Sequence, residues 1–311
     1  MDATLGFGIA SAPMYSVARS LPHLACGSLV VLCSLAASCG SSGPPPIDLQ
    51  FPDYTLAPGE ETYLCYAYTI PPSQGEVSIT AFRPEYGPGT HHIFFGYTLN
   101  PEPEGLSECP FLSKTTWVPL FLGGQNTSDL ELPPNTAFTL APGTQIFMQL
   151  HLQNPTTETI TATTAMHLDT TTPRADLAAA GIYGLDNRTV LLPPRTPSVQ
   201  STMSCAPGHD MNVFAVLGHM HTYGTHIELH RGDIGGETLY EAAWNFAEQP
   251  TTAIEFDVAA TDMLTLRCEH QNSTSEAVPY GESSNTEMCA VVLYYSPADT
   301  TVDGCIQEPT P

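Results

Sequence analysis

Residues 145–152 read QIFMQLHL, a short apolar run in which the residue types favour a β-strand. Similar runs occur as VSITAF at 77–82, IFFGY at 93–97 and AVVLYY at 290–295. Pro-Gly pairs separate such runs at 58–59, 88–89, 142–143 and 207–208. No window keeps a helical period over three turns. The sequence therefore predicts an all-β protein made of sandwiches or barrels.

The chain has 311 residues, which is enough for two ordinary domains. Its best internal boundary is the polar, proline-broken stretch at 170–176. This boundary predicts an N-terminal domain at 48–170 and a C-terminal domain at 177–311, each of the size of one β-sandwich.

The charge composition excludes some classes of partner. Acidic residues outnumber basic ones 32 to 8, and the formal net charge is −24. Nucleic-acid binding needs clustered Lys and Arg, so we expect no nucleic-acid partner. An anionic membrane surface is disfavoured for the same reason. Hydrophobic residues make up 42% of the chain, which is enough for a packed core.

The N-terminal residues 1–39 resemble an export signal, with Arg19 before a short apolar run at 29–37 and a possible start at Met14. The stretch LAASCG at 35–40 resembles a lipoprotein box with Cys39 as the lipidated residue, although its leucine lies four rather than three residues before the cysteine. Simple cleavage therefore stays open, while the short apolar run disfavours a transmembrane anchor. Residues 40–47 are predicted to be a flexible tether. We expect an exported protein that is periplasmic, attached to the cell surface as a lipoprotein, or secreted, with membrane contact only through a lipid anchor.

Six cysteines follow the predicted signal: Cys65, Cys109, Cys205, Cys268, Cys289 and Cys305. An even number in an exported chain predicts three disulfides, and fifteen pairings are possible. No C-x-x-C pair is present among them, which disfavours a zinc ribbon.

Histidines are concentrated on the predicted strands. His91 and His92 begin one strand, and His151 shares a strand face with Gln149 because side chains alternate along a strand. By the same alternation His219 and His221 point to one side of their strand.

A thioether could complete a second set of ligands. Met288 directly precedes Cys289, so a disulfide could hold it in place. Three imidazoles suit copper, zinc, iron or nickel, whereas two imidazoles with a thioether favour copper. By contrast, we interpret His226 and His230, with Glu228 between them, as solvent-exposed or supporting residues.

The order of these motifs is more specific than any one of them. YLC at 63–65, HH at 91–92, QLH at 149–151, HMH at 219–221 and EMC at 287–289 together resemble the copper type II, ascorbate-dependent monooxygenases. That family includes the peptidylglycine α-hydroxylating and dopamine β-monooxygenases. The resemblance covers about residues 48–308.

The resemblance implies two jelly-roll-like β-sandwich domains in tandem that face each other across a solvent-filled cleft, with two copper ions per chain. It assigns the first copper to His91, His92 and His151, and the second to His219, His221 and Met288. It also implies catalytic roles for Gln149, on the route between the coppers, and for Tyr63, beside the first copper. The implied disulfides are Cys65–Cys109, Cys205–Cys305 and Cys268–Cys289.

The implied reaction is hydroxylation of an aliphatic C–H bond of a small molecule with O₂ and ascorbate or another one-electron reductant. Leu217 replaces an arginine of the peptide-hydroxylating branch, and residues 290–292 are apolar where that branch has polar side chains. Both differences favour a less polar substrate than a peptide. The alternative function is an exported copper carrier or sensor on the same scaffold without turnover, and a third is a structural surface protein with incidental histidines.

Overall fold

The computed structural model describes residues 46–109, 114, 116–125 and 127–309. In this part of the chain 24 β-strands and one short 3₁₀ turn, Pro72–Gln74, form the regular structure, which confirms the all-β prediction. None of its helices has the length and apolar character needed to cross a membrane. The predicted signal at 1–39, with Met14 and Cys39, lies outside the described residues, as does the tether up to residue 45.

The strands of the N-terminal half are β1 Ile47–Gln50, β2 Tyr54–Leu56, β3 Glu61–Thr69, β4 Val77–Glu85, β5 Thr90–Thr98, β6 Gly105–Glu108, β7 Trp117–Gly124, β8 Leu130–Glu131, β9 Thr136–Leu140, β10 Gln145–Gln153, β11 Ile160–Ala162 and β12 Ala165–Thr171. Those that follow are β13 Ala178–Ala179, β14 Gly181–Asn187, β15 Leu191–Leu192, β16 Thr196–Cys205, β17 Met211–Met220, β18 Gly224–Arg231, β19 Glu237–Ala243, β20 Thr251–Val258, β21 Leu264–Asn272, β22 Val278–Pro279, β23 Cys289–Ser296 and β24 Val302–Gln307.

Two sheets form the N-terminal sandwich. Their strand orders are β1-β12-β4-β9-β13, with β8 beside β4, and β6-β3-β10-β5-β7. Inward-facing residues such as Phe82, Phe95 and Met148 are fully buried between them. The C-terminal sandwich has the orders β20-β17-β23-β14-β24 and β16-β21-β18-β19, and its core includes Tyr183, Val216 and Leu266.

The two sandwiches share one strand plan. The order β1-β12-β4-β9 corresponds to β14-β23-β17-β20, and β3-β10-β5-β7 corresponds to β16-β21-β18-β19. The small ladder of β2 with β11 corresponds to that of β15 with β22. Asn154 follows β10 and Asn272 ends the equivalent strand β21, and each buried side-chain amide donates to three backbone carbonyls at 2.8–3.2 Å. The fold is therefore an internal duplication.

The halves are in direct contact. Ile182, Phe214 and Tyr294 belong to the same apolar cluster as the N-terminal core. The Tyr294 hydroxyl accepts a hydrogen bond from the Leu122 backbone N–H at 2.9 Å. In addition, β13 pairs in parallel with β9 in the N-terminal sheet. The domain limits 48–170 and 177–311 stay a prediction.

The described residues form three disulfides, which join the pairs that the resemblance implied: Cys65–Cys109, Cys205–Cys305 and Cys268–Cys289. The second pair closes 100 residues of chain and fixes the edge strand β24 to β16. Disulfides of this kind persist in oxidising compartments, which indicates an exported protein.

Candidate metal centre

A β-bulge turns two adjacent histidines towards one site. In the ladder of β10 with β5, His151 pairs with His92 and Leu152 pairs with Thr90, so His91 is an extra residue on β5. A bulge places two residues opposite one and redirects a side chain that would otherwise point to the far face. His91, His92 and His151 are all buried, and one ligand atom from each lies within 4.8 Å of the others.

Residues on β3 support His151. The Glu61 carboxylate accepts a hydrogen bond from His151 Nε2 at 2.7 Å. In this arrangement Nδ1 is the nitrogen with the free lone pair. The Tyr63 ring stacks on the His151 ring at 4.4 Å with an interplanar angle of 7°. Ser284 of the C-terminal half donates to the same Glu61 carboxylate at 2.9 Å. The ring of His151 is therefore fixed in both tautomer and tilt.

His219 and His221 lie at the end of β17, with Met220 between them in the core. His219 Nδ1 donates to the Gln249 amide oxygen at 2.9 Å, and His221 Nδ1 donates to the Thr286 carbonyl at 3.1 Å. Both contacts direct the two Nε2 atoms away from the backbone, as expected for imidazoles that bind a metal.

A buried carboxylate connects these histidines to the neighbouring methionine. Glu287 is fully buried, and its carboxylate accepts backbone N–H bonds from His221 at 2.5 Å, Met288 at 2.9 Å and Tyr223 at 2.9 Å. Met288 then lines the same cavity as His219. Glu287 thus fixes the backbone of Met288 against that of His221.

The two groups of histidines are adjacent. The ring centroids of His92 and His219 are 5.2 Å apart, and those of His219 and His221 are 5.2 Å apart. Phe246 packs on His91 at 4.3 Å. The resemblance implied a solvent-filled cleft here. In the structure the groups meet instead, because apolar residues of the facing sheets pack together beside them.

Burial keeps four of these imidazoles neutral. Burial, with the neighbouring His151, lowers the pKa of His91 to about 4, and burial with His221 lowers the pKa of His219 to about 3. Burial also lowers the pKa of His92 and of His221. Neutral imidazole is the form that binds metal ions.

Buried ring nitrogens without hydrogen-bond partners also indicate a metal site. The Nε2 atoms of His91, His92 and His219 are buried and have no hydrogen-bond partner among the described residues. Leaving a buried polar atom unpaired costs about 1–3 kcal/mol. Three such nitrogens in one cluster are accounted for if they bind metal, and the donor set of imidazoles with a nearby thioether suits copper.

The other candidates take the following places. Gln149 is buried two residues before His151, and its amide nitrogen lies 3.5 Å from the Cys109 sulfur.

A separate polar network lies on β18 and includes His226, Glu228 and His230. Both imidazoles and the guanidinium of Arg267 contact the Glu228 carboxylate. This network lies on the sheet of the C-terminal sandwich that contains neither His219 nor Met288.

A cavity of about 530 Å³ adjoins the cluster. His92, His219, Gln249 and Met288 contribute to its wall. Most of its remaining surface is apolar and comes from the two facing sheets, including Leu122. A volume of this size is typical of sites for small organic ligands.

Fold and site together define an all-β protein with a buried, imidazole-rich centre suited to a transition-metal ion. Residues 178–311 match the family model described as copper type II ascorbate-dependent monooxygenase, C-terminal domain, and this part of the chain belongs to that family. The family predicted from the motifs is thereby confirmed. The family is described as copper- and ascorbate-dependent monooxygenases, so residues 178–311 form a domain of a family of redox enzymes.

The other comparisons add little. No curated protein matches the chain. Among solved structures, the VP2 subviral particle of infectious bursal disease virus is 8% identical with a TM-score of 0.19, covering 82% of this chain and 72% of that one. The Gx strain of the same virus is 10% identical with a TM-score of 0.18, covering 82% and 75%. Scores this low carry no argument about fold or function.

Sequence reasoning missed several residues of the centre. Glu61 lies two residues before Tyr63 and therefore on the same strand face, a signal that was present. Glu287 directly precedes Met288 in the quoted motif, but its burial was not apparent. Gln249 and Phe246 come from a loop between β19 and β20, and no local pattern marks them.

Proposed function

We propose that this protein is an exported copper-dependent monooxygenase that hydroxylates an aliphatic C–H bond of a small molecule, using O₂ and ascorbate or another one-electron reductant. The observation that carries the proposal is the shared wall of the cavity, where His219 and Met288 lie beside space for an organic ligand. The family match over residues 178–311 supports the class of reaction.

The proposed ligand sets are His91, His92 and His151 for one copper ion, and His219, His221 and Met288 for the other. Copper supplies one-electron chemistry and a binding position for O₂, and a thioether ligand favours its reduced form. Two electrons and two protons are needed, because one oxygen atom enters the product and the other leaves as water.

The remaining residues hold these side chains in place. The Glu61 carboxylate accepts a hydrogen bond from the His151 ring, and the Thr286 carbonyl accepts one from the His221 ring. Each ring is thereby oriented so that its other nitrogen can bind copper. Gln249 does the same for His219 and is itself fixed by donation to the Phe246 carbonyl at 3.1 Å. The apolar cavity wall excludes water from the substrate position. We further propose that Tyr63 stabilises the orientation of His151 and that Gln149 lies on the electron route.

Copper stoichiometry and oxygen consumption test the proposal. Anaerobically loaded mature protein should bind two copper ions, and the combined His91→Ala and His92→Ala variant should lose one and keep the other. His167→Ala is a matched control, because His167 pairs with Asp48 on the N-terminal sheet that does not carry His91 and His92. Loaded enzyme should consume O₂ when supplied with ascorbate and candidate substrates.

The same measurements separate the alternative. A copper carrier or sensor would bind two ions but consume no O₂ beyond the rate of free copper and would yield no hydroxylated product. A structural protein with incidental histidines would bind copper negligibly, and its properties would be indifferent to His219→Ala.

We propose that the protein is periplasmic, attached to the cell surface as a lipoprotein, or secreted. The three disulfides of the described residues support export and do not distinguish between these locations. Radiolabelled palmitate should label the wild-type protein and not Cys39→Ser if Cys39 is the lipidated residue. Absence of label from the wild type would instead favour simple cleavage.

A further inference from the structure

The floor of the cavity is one face of the sheet formed by β17, β23, β14 and β24. Across this sheet His219 pairs with Ala290, and Leu217 pairs with Val292. One strand further on, Val292 pairs with Gly184. The row from Leu217 to Gly184 therefore spans two strand spacings, roughly 10 Å, beside the candidate metal ligands.

Gly184 leaves open space over this floor. A Cβ atom added there would meet no atom of the described residues within 4 Å, and the residue lies in the middle of β14. Glycine inside a strand costs stability and often marks a close approach by a ligand. Gly304 on β24 is different, because its Cβ would lie 2.4 Å from the Gly184 carbonyl oxygen. Strand packing therefore explains Gly304, whereas a side chain at position 184 would extend into the cavity.

The roof is apolar as well. Phe94, Trp117 and Leu122 line it from the N-terminal sheet, and Phe94 and Trp117 are almost fully buried. At the edge of the cavity, Val302 and Ile306 on β24 are exposed, with 37% and 55% of their surfaces accessible. An apolar rim around an apolar interior favours entry of an apolar molecule.

The charged groups of the wall already have polar partners. Arg188 Nε pairs with Asp186 at 2.8 Å, and its Nη1 pairs with Glu308 at 2.9 Å. Asp186 also accepts a hydrogen bond from the Tyr280 hydroxyl at 3.0 Å. Asp303, the other carboxylate of the wall, accepts the Gly304 backbone N–H at 2.7 Å and lies 3.7 Å from His209 Nδ1. An ionic ligand would lose its hydration inside, and among the described residues of the wall it would meet only charged groups that already have partners.

We propose that the cavity binds an uncharged, predominantly apolar small molecule as the hydroxylation substrate, and that Gly184 determines how large a molecule fits beside His219 and Met288. The catalytic part of this inference rests on the proposed function, while the binding part does not. Peptides and amines that carry a charge are disfavoured by the same wall.

Three ligands with one carbon skeleton test the chemistry of the cavity. These are 4-phenylbutan-1-ol, which is uncharged, 4-phenylbutanoate, which is anionic, and 4-phenylbutylamine, which is cationic at pH 7.5. Binding is measured by equilibrium dialysis on copper-loaded mature protein under argon without reductant, so that no turnover occurs. The alcohol should bind roughly tenfold or more tightly than either ion. Equal or tighter binding of an ion, or no binding of any of the three, would overturn the proposal.

Variants test the role of Gly184. Gly184→Leu should weaken binding of the alcohol roughly tenfold or more, and Gly184→Ala should weaken it less. Gly235→Leu is the matched control, since a Cβ there also meets no atom within 4 Å in the described part of the chain and Gly235 does not line the cavity. Unfolding curves verify that each variant folds. If Gly184→Leu and Gly184→Ala fold and bind as the wild type does, Gly184 does not determine the size limit.

Turnover keeps the two proposals distinguishable. Selective binding of the alcohol without hydroxylation of any uncharged candidate would refute the monooxygenase function and leave the cavity assignment intact. Hydroxylation of the charged analogues in preference to the alcohol would support the monooxygenase function and refute the cavity assignment.

Discussion

Replacing the buried carboxylate of Glu287 by an amide should loosen Met288 without reshaping the fold. Glu287→Gln has nearly the same volume, so the core should still pack. The carboxylate now accepts N–H bonds from His221, Met288 and Tyr223. In the variant one acceptor oxygen becomes an NH₂ group that faces a backbone N–H.

The magnitude follows from those three bonds. One charge-assisted hydrogen bond is lost outright, about 1.5–3 kcal/mol, and the other two weaken because the charge is gone. Release of the cost of burying a carboxylate offsets part of this. We expect a net loss of about 2–4 kcal/mol in the free energy of unfolding, measured by urea denaturation.

Spectroscopy measures the consequence for the metal centre. X-ray absorption of the Cu(I)-loaded wild type should show a sulfur ligand from Met288, and the Glu287→Gln variant should lose this signal while retaining copper bound by imidazoles. Glu276→Gln, at an exposed position, is the control. A variant with unchanged stability and an intact copper–sulfur signal would refute the role given to Glu287.

Three further predictions concern neighbouring residues. Glu61→Gln should lower copper affinity at the His91, His92 and His151 set about 10–100-fold, measured by competition with a chelator, because the His151 proton loses its carboxylate acceptor; unchanged affinity would contradict this. Met288→Ala should fold normally but lose nearly all turnover, whereas the exposed Met263→Ala should keep it. In copper-free protein, the unfolded chain binds a proton at His91 near pH 6.5 and the folded chain only near pH 4. Stability from this residue is therefore present above pH 6.5 and lost as the pH falls towards 4, by up to about 3 kcal/mol, and His91→Asn should remove that part of the pH dependence.

The sequence was informative where a local pattern determines the outcome. Strand alternation correctly predicted that Gln149 and His151 lie on one face, and that His219 and His221 do so with Met220 turned inwards. The all-β class followed from residue types and turn signals. The family followed from the order of motifs along the chain, and the match over residues 178–311 confirmed it.

Other features depend on contacts between distant residues. The bulge that turns His91 beside His92 depends on the pairing of β5 with β10 and has no signature in the dipeptide itself. Gln249 reaches His219 only because its loop packs against the N-terminal sheet at Gly124 and Thr127. These contacts could not be derived from composition or periodicity.

The internal duplication was only partly predictable from the sequence. Its strand plan is visible only in three dimensions, yet the pattern Asn-x-Thr-x-Glu occurs at both 154–158 and 272–276. In each copy the threonine N–H and hydroxyl donate to the asparagine oxygen at 2.7–3.0 Å. This short motif at equivalent strand ends is therefore a local trace of the duplication in the sequence.

The apolar cluster common to both sandwiches has a thermodynamic consequence. Phe214 and Tyr294 of one half contribute to the core of the other, so separating the halves would transfer that aromatic surface to water. The two sandwiches should therefore unfold together in one cooperative transition. Scanning calorimetry of the copper-free protein should give a single endotherm with equal calorimetric and van't Hoff enthalpies. Two resolved endotherms would mean that the halves unfold as independent units.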